Sequence, residues 1–335
     1  MLRMLLVLIL LGPVSASADD KSAMIDTVIN DHILTGFSHL ATETQGLKQA
    51  ADANCSADSD ELRAAWHRAF DAWISVSHLR FGPSETNDRA FALAFWPDTR
   101  GFTPRSLQAL IEDQDAIVNS LAEFGKVSIA ARGFYALEFL LYDPRISALG
   151  DAAYRCRLVQ IIAADIAATA DAILADWTNI YASELRKTDG IYRTKDEAIQ
   201  ELFKALTSGL QFTADSRLGR PMGSFERPRP KRAEAWRSGR SLHNVVISLA
   251  ALRDLAMLLS GPTPELSARF AFEFDKSLKK ANQLEDPVFV GASTTQDRLR
   301  VEVLQQTVNY IRELAASDLG PTLGVAAGFN ALDGD

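Results

Sequence analysis

Hydrophobic positions recur with a helical period along almost the whole of this chain. Between Asp58 and Phe81, the residues Leu62, Trp66, Phe70, Trp73, Val76 and Leu79 fall at three- and four-residue intervals, which places them on one face of an α-helix. From Ala152 to Leu185 a second stripe, Leu158, Ile161, Ile162, Ile166, Ile173, Leu174 and Trp177, runs through an Ala-rich background, as a bundle helix requires. Local signals bound these segments. Asp58 with Glu61, and Thr194 with Glu197, have capping-box spacing. Thr103-Pro104 and Thr263-Pro264 set an N-cap residue ahead of proline at the first helical position, and Asp286-Pro287 closes a helix. The pattern predicts helices near 22–53, 58–80, 104–123, 128–142, 151–187, 194–214, 233–260, 264–284 and 295–317. No stretch alternates with period two between hairpin turns, so strands are not expected. The expected fold class is all-α, with two up-and-down helical bundles packed together. Pro144 and Gly150 flank a short break that divides the chain into bundles at 19–147 and 148–335.

Residues 1–18 depart from this pattern. Arg3, an apolar run from Leu5 to Leu11, the Gly12-Pro13 break and Ala16-Ser17-Ala18 ahead of Asp19 have the layout of a secretory signal peptide cleaved after Ala18. The apolar run is far shorter than the roughly 20 residues that span a bilayer, and no cysteine follows it to accept lipid. The expectation is an exported protein, periplasmic in a Gram-negative bacterium, with no membrane span after cleavage. Net charge is −8 over the 335 residues; the leader carries one Arg and no acid, so its removal makes the charge more negative by one. Such a protein is a poor partner for nucleic acid or for anionic membranes in general. Cys55 and Cys156 are the two cysteines, and an oxidising compartment favours one disulfide between them over two buried thiols. The bridge would close a loop of about 100 residues and fasten the first long helix pair to the helix that opens the second half. Its ligand-poor spacing suits neither a zinc finger nor a redox pair.

Within this helical background, the segment Gly133 to Asp143 (GFYALEFLLYD) sets Glu138 among apolar residues. A buried carboxylate must be paired, hydrogen-bonded, protonated or metal-bound. Tyr135 lies three residues earlier, on the same helical face. A Glu that only ties its helix to a neighbouring Arg is the plainer alternative. Two irregular stretches interrupt the helices. The first, Arg80 to Phe102, holds Phe81, Phe91, Phe95 and Trp96 among turn formers. The second, Arg217 to Arg240, contains Arg217, Arg220, Arg227, Arg229, Lys231, Arg232, Arg237 and Arg240 against Glu226 and Glu234. That basic island could hold an anion, pair with Glu138, or be a solvated loop. It leads into Ser238, Gly239, Arg240 and Ser241 near a helix start, where backbone amides and a guanidinium could clamp a carboxylate or phosphate.

Four blocks, WHRAFDAWISVSHLRFGP (66–83), FWPDTRGF (95–102), GFYALEFLLYD (133–143) and SGRSLHNVVISLAALRDL (238–255), together resemble the imelysin family of exported bacterial proteins in order and spacing. The resemblance covers nearly the whole chain after the leader. It implies two helical bundles with a site where they meet, built around a Gly-x-His-x-x-Glu motif. It also implies either a metallopeptidase or an iron-regulated periplasmic protein, some members being domains of iron-uptake systems.

Gly133 and Glu138 match that motif, and Tyr135 stands in the histidine position. Imidazole is the usual zinc ligand, whereas phenolate and carboxylate are hard oxygen donors suited to ferric iron. No His-Glu-x-x-His is present, and none of His32, His39, His67, His78 and His243 has Glu three residues later, so a peptidase lacks its usual compact metal motif. Nucleophile elbow, P-loop and dinucleotide fingerprints are likewise missing. The expected function is binding of a metal, iron above others, a metal complex or a small anion between the bundles, in iron or metal uptake or homeostasis. Metallopeptidase and non-catalytic interaction scaffold are the alternatives. Expected site residues are Glu138 as acceptor or ligand, Tyr135 beside it, Arg80 and Arg240 as charge partners, Asp98 and Arg100 shaping the crevice, and Ser238 and Ser241 as hydroxyl or backbone contacts. Glu138, Tyr135 and His243 are the candidate metal ligands. Partners would be the metal or anion itself and other periplasmic or membrane iron-uptake components.

Overall fold

The computed structural model describes residues 18–326, so the expected leader lies outside the described residues apart from Ala18. Helix α1 (Ala18–Thr27) passes through a π-helical stretch, Val28–Leu34, into α2 (Thr35–Ala53). Then come α3 (Asp60–Val76), α4 (Phe102–Asp113), α5 (Gly133–Tyr142) and α6 (Ala152–Asp176). The second half supplies α7 (Lys195–Gln211), α8 (Ser241–Ser260), α9 (Pro264–Asn282) and α10 (Thr295–Leu314). Among the described residues the β-type pairing is an isolated bridge between Ser224 and Arg227.

The fold is all-α, with helices packed as two bundles. In the first, α2 lies between α3 and α6, and α5 packs on α6. In the second, α8 packs on α9, α9 on α10, and α7 against α8 and α10. Helix α3 crosses onto α8 and joins the two. One apolar core runs through both, from Trp66, Phe70 and Phe134 to Phe203, Leu252 and Phe270. The segments Ala152–Arg186 and Ser241–Ser260 are long and apolar enough to cross a membrane, with 56% and 50% of their apolar windows buried inside the fold.

Several boundaries differ from the sequence expectation for local reasons. Ser59 caps α3, its hydroxyl accepting from the Leu62 amide at 3.2 Å, in place of the Asp58–Glu61 box. Asp98 caps α4, accepting from the amides of Phe102 at 2.9 Å and Thr103 at 2.8 Å, so Thr103 is not the cap. Helix α4 stops at Asp113 because Gln114 turns to φ 48°. The helix expected from 233 begins only at Ser241, since Ala235 (φ 48°) and Gly239 (φ 75°) hold the preceding residues in a loop. Thr194 does cap α7, accepting from the Glu197 amide at 3.2 Å.

Helix α6 was expected to open the second bundle, yet it packs along α2 and α5 in the first. Its apolar stripe fills the groove those helices leave, and the Pro144–Gly150 break is a turn within that group. A Cys55–Cys156 disulfide, with Cα atoms 5.1 Å apart, fastens the first turns of α6 to the chain leaving α2. A bridge of this kind suits an oxidising compartment.

Candidate functional site

The region where α3, α5 and α8 meet is organised by a glycine. Gly133 opens α5 at φ 75°, and a Cβ on it would lie 2.2 Å from the Leu93 carbonyl oxygen and 2.3 Å from that of Ala92. Only glycine permits this approach. The helix is then held on α3 by rings: Phe70 stacks on Phe134 at 4.9 Å and meets Tyr135 edge-on at 5.3 Å, while Trp66 Nε1 donates to the Phe134 carbonyl at 3.1 Å. Ring contacts of this geometry contribute about 0.5–1.5 kcal/mol each beyond their burial.

Tyr135 and Glu138 share a face of α5, and both meet the loop 233–240. Glu138, 2% exposed, accepts from the Ser238 amide at 3.0 Å and its hydroxyl at 2.8 Å. Both bonds fall on Oε1. Burial pushes its pKa up, against the Ser238 hydrogen bonds and the charges of Arg237 and Arg240. Tyr135 instead donates to Glu234 Oε1 at 2.6 Å. Burial and the Glu234 carboxylate push that phenol well above its usual pKa, which opposes the phenolate a metal ligand would need.

Glu234 is the hub of a buried polar network. Its Oε2 accepts from Arg217 Nε at 2.7 Å and from Asn244 Nδ2 at 3.0 Å. Arg217, 3% exposed, also donates to the Ser248 hydroxyl at 3.0 Å. Asn244 Oδ1 accepts from Arg240 Nε at 2.8 Å. Arg240 Nη1 faces His67 Nδ1 at 2.8 Å, and its Nη2 donates to Asp71. Because a guanidinium only donates, His67 Nδ1 accepts, and its Nε2–H donates to the Tyr142 oxygen at 2.9 Å. The neutral ring follows: burial and Arg240 hold the His67 pKa down to about 4. Burial raises the Asp71 carboxyl, but the His243 hydrogen bond and the Arg240 charge outweigh it and hold it low. The network thus runs from the bundle interface to the exposed His243, 3.1 Å from Asp71.

Of the expected site residues, Glu138, Tyr135, Ser238 and Arg240 are brought to this region. Arg80 is not a charge partner of Glu138: it pairs with Glu85 at 2.6 Å and lies 4.5 Å over the Phe91 ring. Asp98 is spent on capping α4, and the exposed Arg100 donates its amide to Asp98 at 3.3 Å. Ser241 is buried with its hydroxyl unpartnered. The candidate ligands Glu138, Tyr135 and His243 are engaged with three different residues, Ser238, Glu234 and Asp71. Among the described residues, no three His, Cys, Asp or Glu side chains are grouped to hold a metal ion.

Sequence reasoning missed Glu234, Asn244, His67 and Asp71 as site residues, and placed Arg217 and Arg237 only in a basic island. Glu234 had a signal: it is one of two acids in that island, and an acid outnumbered by arginines is a natural ion-pair centre. Arg237 pairs with Asp143 at 2.9 Å and lies 3.7 Å over the Phe139 ring, beside Glu138.

An all-α pair of bundles with a buried Gly-x-Tyr-x-x-Glu segment at their junction defines an imelysin-like class of protein. The imelysin (peptidase M75) sequence profile matches residues 33–315, and the chain belongs to the imelysin family. Its fold is similar to that of an imelysin-like protein from Psychrobacter arcticum 273-4, with a TM-score of 0.79 and 20% identity over 95% of this chain and 100% of that one. It is also similar to a candidate iron-regulated protein A precursor from Parabacteroides distasonis ATCC 8503, with a TM-score of 0.75 and 16% identity over 92% of this chain and 96% of the other. No curated protein matches the chain.

Proposed function

We propose that this protein binds iron or another metal, as a small complex, at the junction of its two bundles, and serves metal handling in the periplasm alongside other iron-uptake components. The observation that carries the reading is Glu138, a carboxylate buried at the junction, pushed toward its neutral form by burial and held through one oxygen by Ser238. Such a group is relieved by a cation or by a proton donor on a ligand. A bare ion would find one protein ligand here, because Tyr135 serves as donor to Glu234 and His243 is held by Asp71. A complexed metal brings its remaining donors with it. Glu138 would contribute one oxygen, and Ser238, Arg237 and Arg240 would hydrogen-bond the chelating groups. Entry requires Ser238 to exchange its two bonds to Glu138 for bonds to the ligand. The likeness to a candidate iron-regulated protein supports iron as the metal, and the Cys55–Cys156 disulfide supports export. Hydrolysis of peptides would need several anchored metal ligands and a general base, so binding is favoured over peptidase chemistry.

The test is isothermal titration of the metal-stripped chain from Asp19 with ferrous ion, ferric citrate and zinc, repeated with Glu138→Gln. Saturable binding that weakens at least about tenfold, or about 1.4 kcal/mol, in a variant with an unchanged melting curve is the expected result. Equal affinity in the variant would refute the assignment.

A further inference from the structure

The hairpin from Arg220 to Arg232 carries positive charge that the protein leaves unneutralised. In the same basic island, Arg217, Arg237 and Arg240 are paired with Glu234, Asp143 and Asp71. Arg220, Arg227, Arg229, Lys231 and Arg232 form no ion pair among the described residues. This is a concentrated cationic patch on a chain whose net charge is −8.

Arg220 is the informative member. Its Nε is buried without a hydrogen-bond partner, and a buried donor left unpaired costs about 1–3 kcal/mol unless an acceptor is supplied. Its guanidinium lies 5.8 Å from the centre of the Trp96 ring, which walls one side. Burial, and after it the neighbouring charge of Arg232, pull its pKa down.

The hairpin is a built structure. Gly223 turns it at φ 55°, where a Cβ would lie 2.4 Å from the Arg227 carbonyl oxygen. The Arg229 amide donates to the Pro221 carbonyl at 2.8 Å. From α10, Arg298 Nη1 donates to the carbonyls of Met222 at 2.6 Å and Ser224 at 3.1 Å. On the far side Lys231 lies 5.6 Å over the Trp236 ring. The hairpin backbone that carries the cations is therefore fixed before any ligand arrives, which lowers the ordering cost of binding.

We propose that Arg220 and Arg232 form a binding site for a small multivalent oxyanion, a phosphate or a polycarboxylate, seated against Trp96, with Arg229 and Lys231 adding attraction at the rim. Guanidinium groups match both anions through paired N–H donors. This site is distinct from Glu138 and does not depend on the metal reading.

The experiment is isothermal titration of the metal-free chain from Asp19 with inorganic phosphate and with citrate, at low and at raised ionic strength. It is run on the wild type, Arg220→Gln, Arg232→Gln, Arg227→Gln and Glu138→Gln, with sedimentation against phosphatidylglycerol vesicles as a parallel arm. Expected is saturable binding of at least one soluble anion with a Kd below about 1 mM, weakened by salt. Each of Arg220→Gln and Arg232→Gln should lose at least about tenfold, while Arg227→Gln at the hairpin tip and Glu138→Gln stay within about twofold. Arg232 is exposed, so its variant tests the site even if Arg220→Gln disturbs the fold. No binding of either soluble anion, wild-type affinity in Arg232→Gln, or capture by vesicles alone would each overturn the proposal, the last in favour of a lipid surface.

Discussion

Lowering the pH from 8 to 5 is expected to cost this fold about 2 kcal/mol through His32 alone, with its partner imidazole His78 adding to the loss. His32, in the π-helical stretch before α2, and His78, just beyond α3, face each other with Nε2 atoms 2.8 Å apart. Such a contact requires one nitrogen to donate and the other to accept, so a neutral pair satisfies it. Burial holds the His32 pKa down to about 4, and burial, His32 and Arg217 hold His78 well below its usual value. In the unfolded chain both rings titrate near about 6.5. The folded values are depressed, so the unfolded chain takes up protons that the folded chain refuses. Stability is then complete above about pH 6.5 and declines as pH falls toward the folded values, where it levels off. At pH 5 the His32 ring accounts for about 2 kcal/mol of that decline, already a sizeable part of a typical 5–15 kcal/mol, and the depressed His78 adds to it in the same direction. Glu138 works in the opposite direction, because its raised pKa favours the folded state on acidification. Asp143, held down to about 2 despite burial by Arg145 and Arg237, loses its contribution only below the ordinary carboxylate range. The window between pH 6.5 and 5 therefore belongs mainly to the imidazoles, the half-buried His67, held down to about 4, adding to the pair. Urea denaturation followed by tryptophan fluorescence, at unit pH steps, gives the decline directly. The His32→Phe/His78→Leu variant should show half of it or less. An equal pH dependence in wild type and variant would refute the reasoning.

Three further outcomes are expected. Gly133→Ala should destabilise by about 4 kcal/mol or more, because its Cβ would strike the Leu93 and Ala92 carbonyls; a melting temperature within a few degrees of wild type would contradict this. Replacing both cysteines with Ala should cost about 4–5 kcal/mol for a loop of this length, read as a lower urea midpoint that reductant no longer shifts. Glu234→Gln should cost about 3–5 kcal/mol by leaving the buried Arg217 charge unpaired, and adding Arg217→Met should restore part of the loss; a Gln variant as stable as wild type would mean that the pair is dispensable.

The fold was legible because the Leu62-to-Leu79 and Leu158-to-Trp177 stripes state their periodicity directly. Glu138 was legible because a lone acid in an apolar helix has few physical options. The loop at 233–240 was not, since nothing in an Ala residue announces the positive φ of Ala235, and helical propensity extended α8 eight residues too early. Pairing was also illegible. Arg80 and Arg237 are equivalent guanidinium groups in sequence, and only packing sends one to Glu85 and the other to the neighbourhood of Glu138. The placement of α6 failed for the same reason: an apolar stripe specifies that a helix is buried, and says nothing of which partners bury it.

The Cys55–Cys156 bond divides the junction between two kinds of chain. His67, Asp71, Tyr135 and Glu138 lie inside a covalent ring closed across a sequence separation of 101, while Arg217, Glu234, Ser238 and Asn244 lie on the open chain that follows. A single protease cut within the ring leaves its two ends tethered, and the nicked protein keeps its mass until it is reduced. A cut between residues 187 and 193 severs the two sides of the junction, which are then held together by packing alone. The halves that share Glu138 and Ser238 are thus unequally protected against chain scission, and the side supplying the arginines is the one a protease could release.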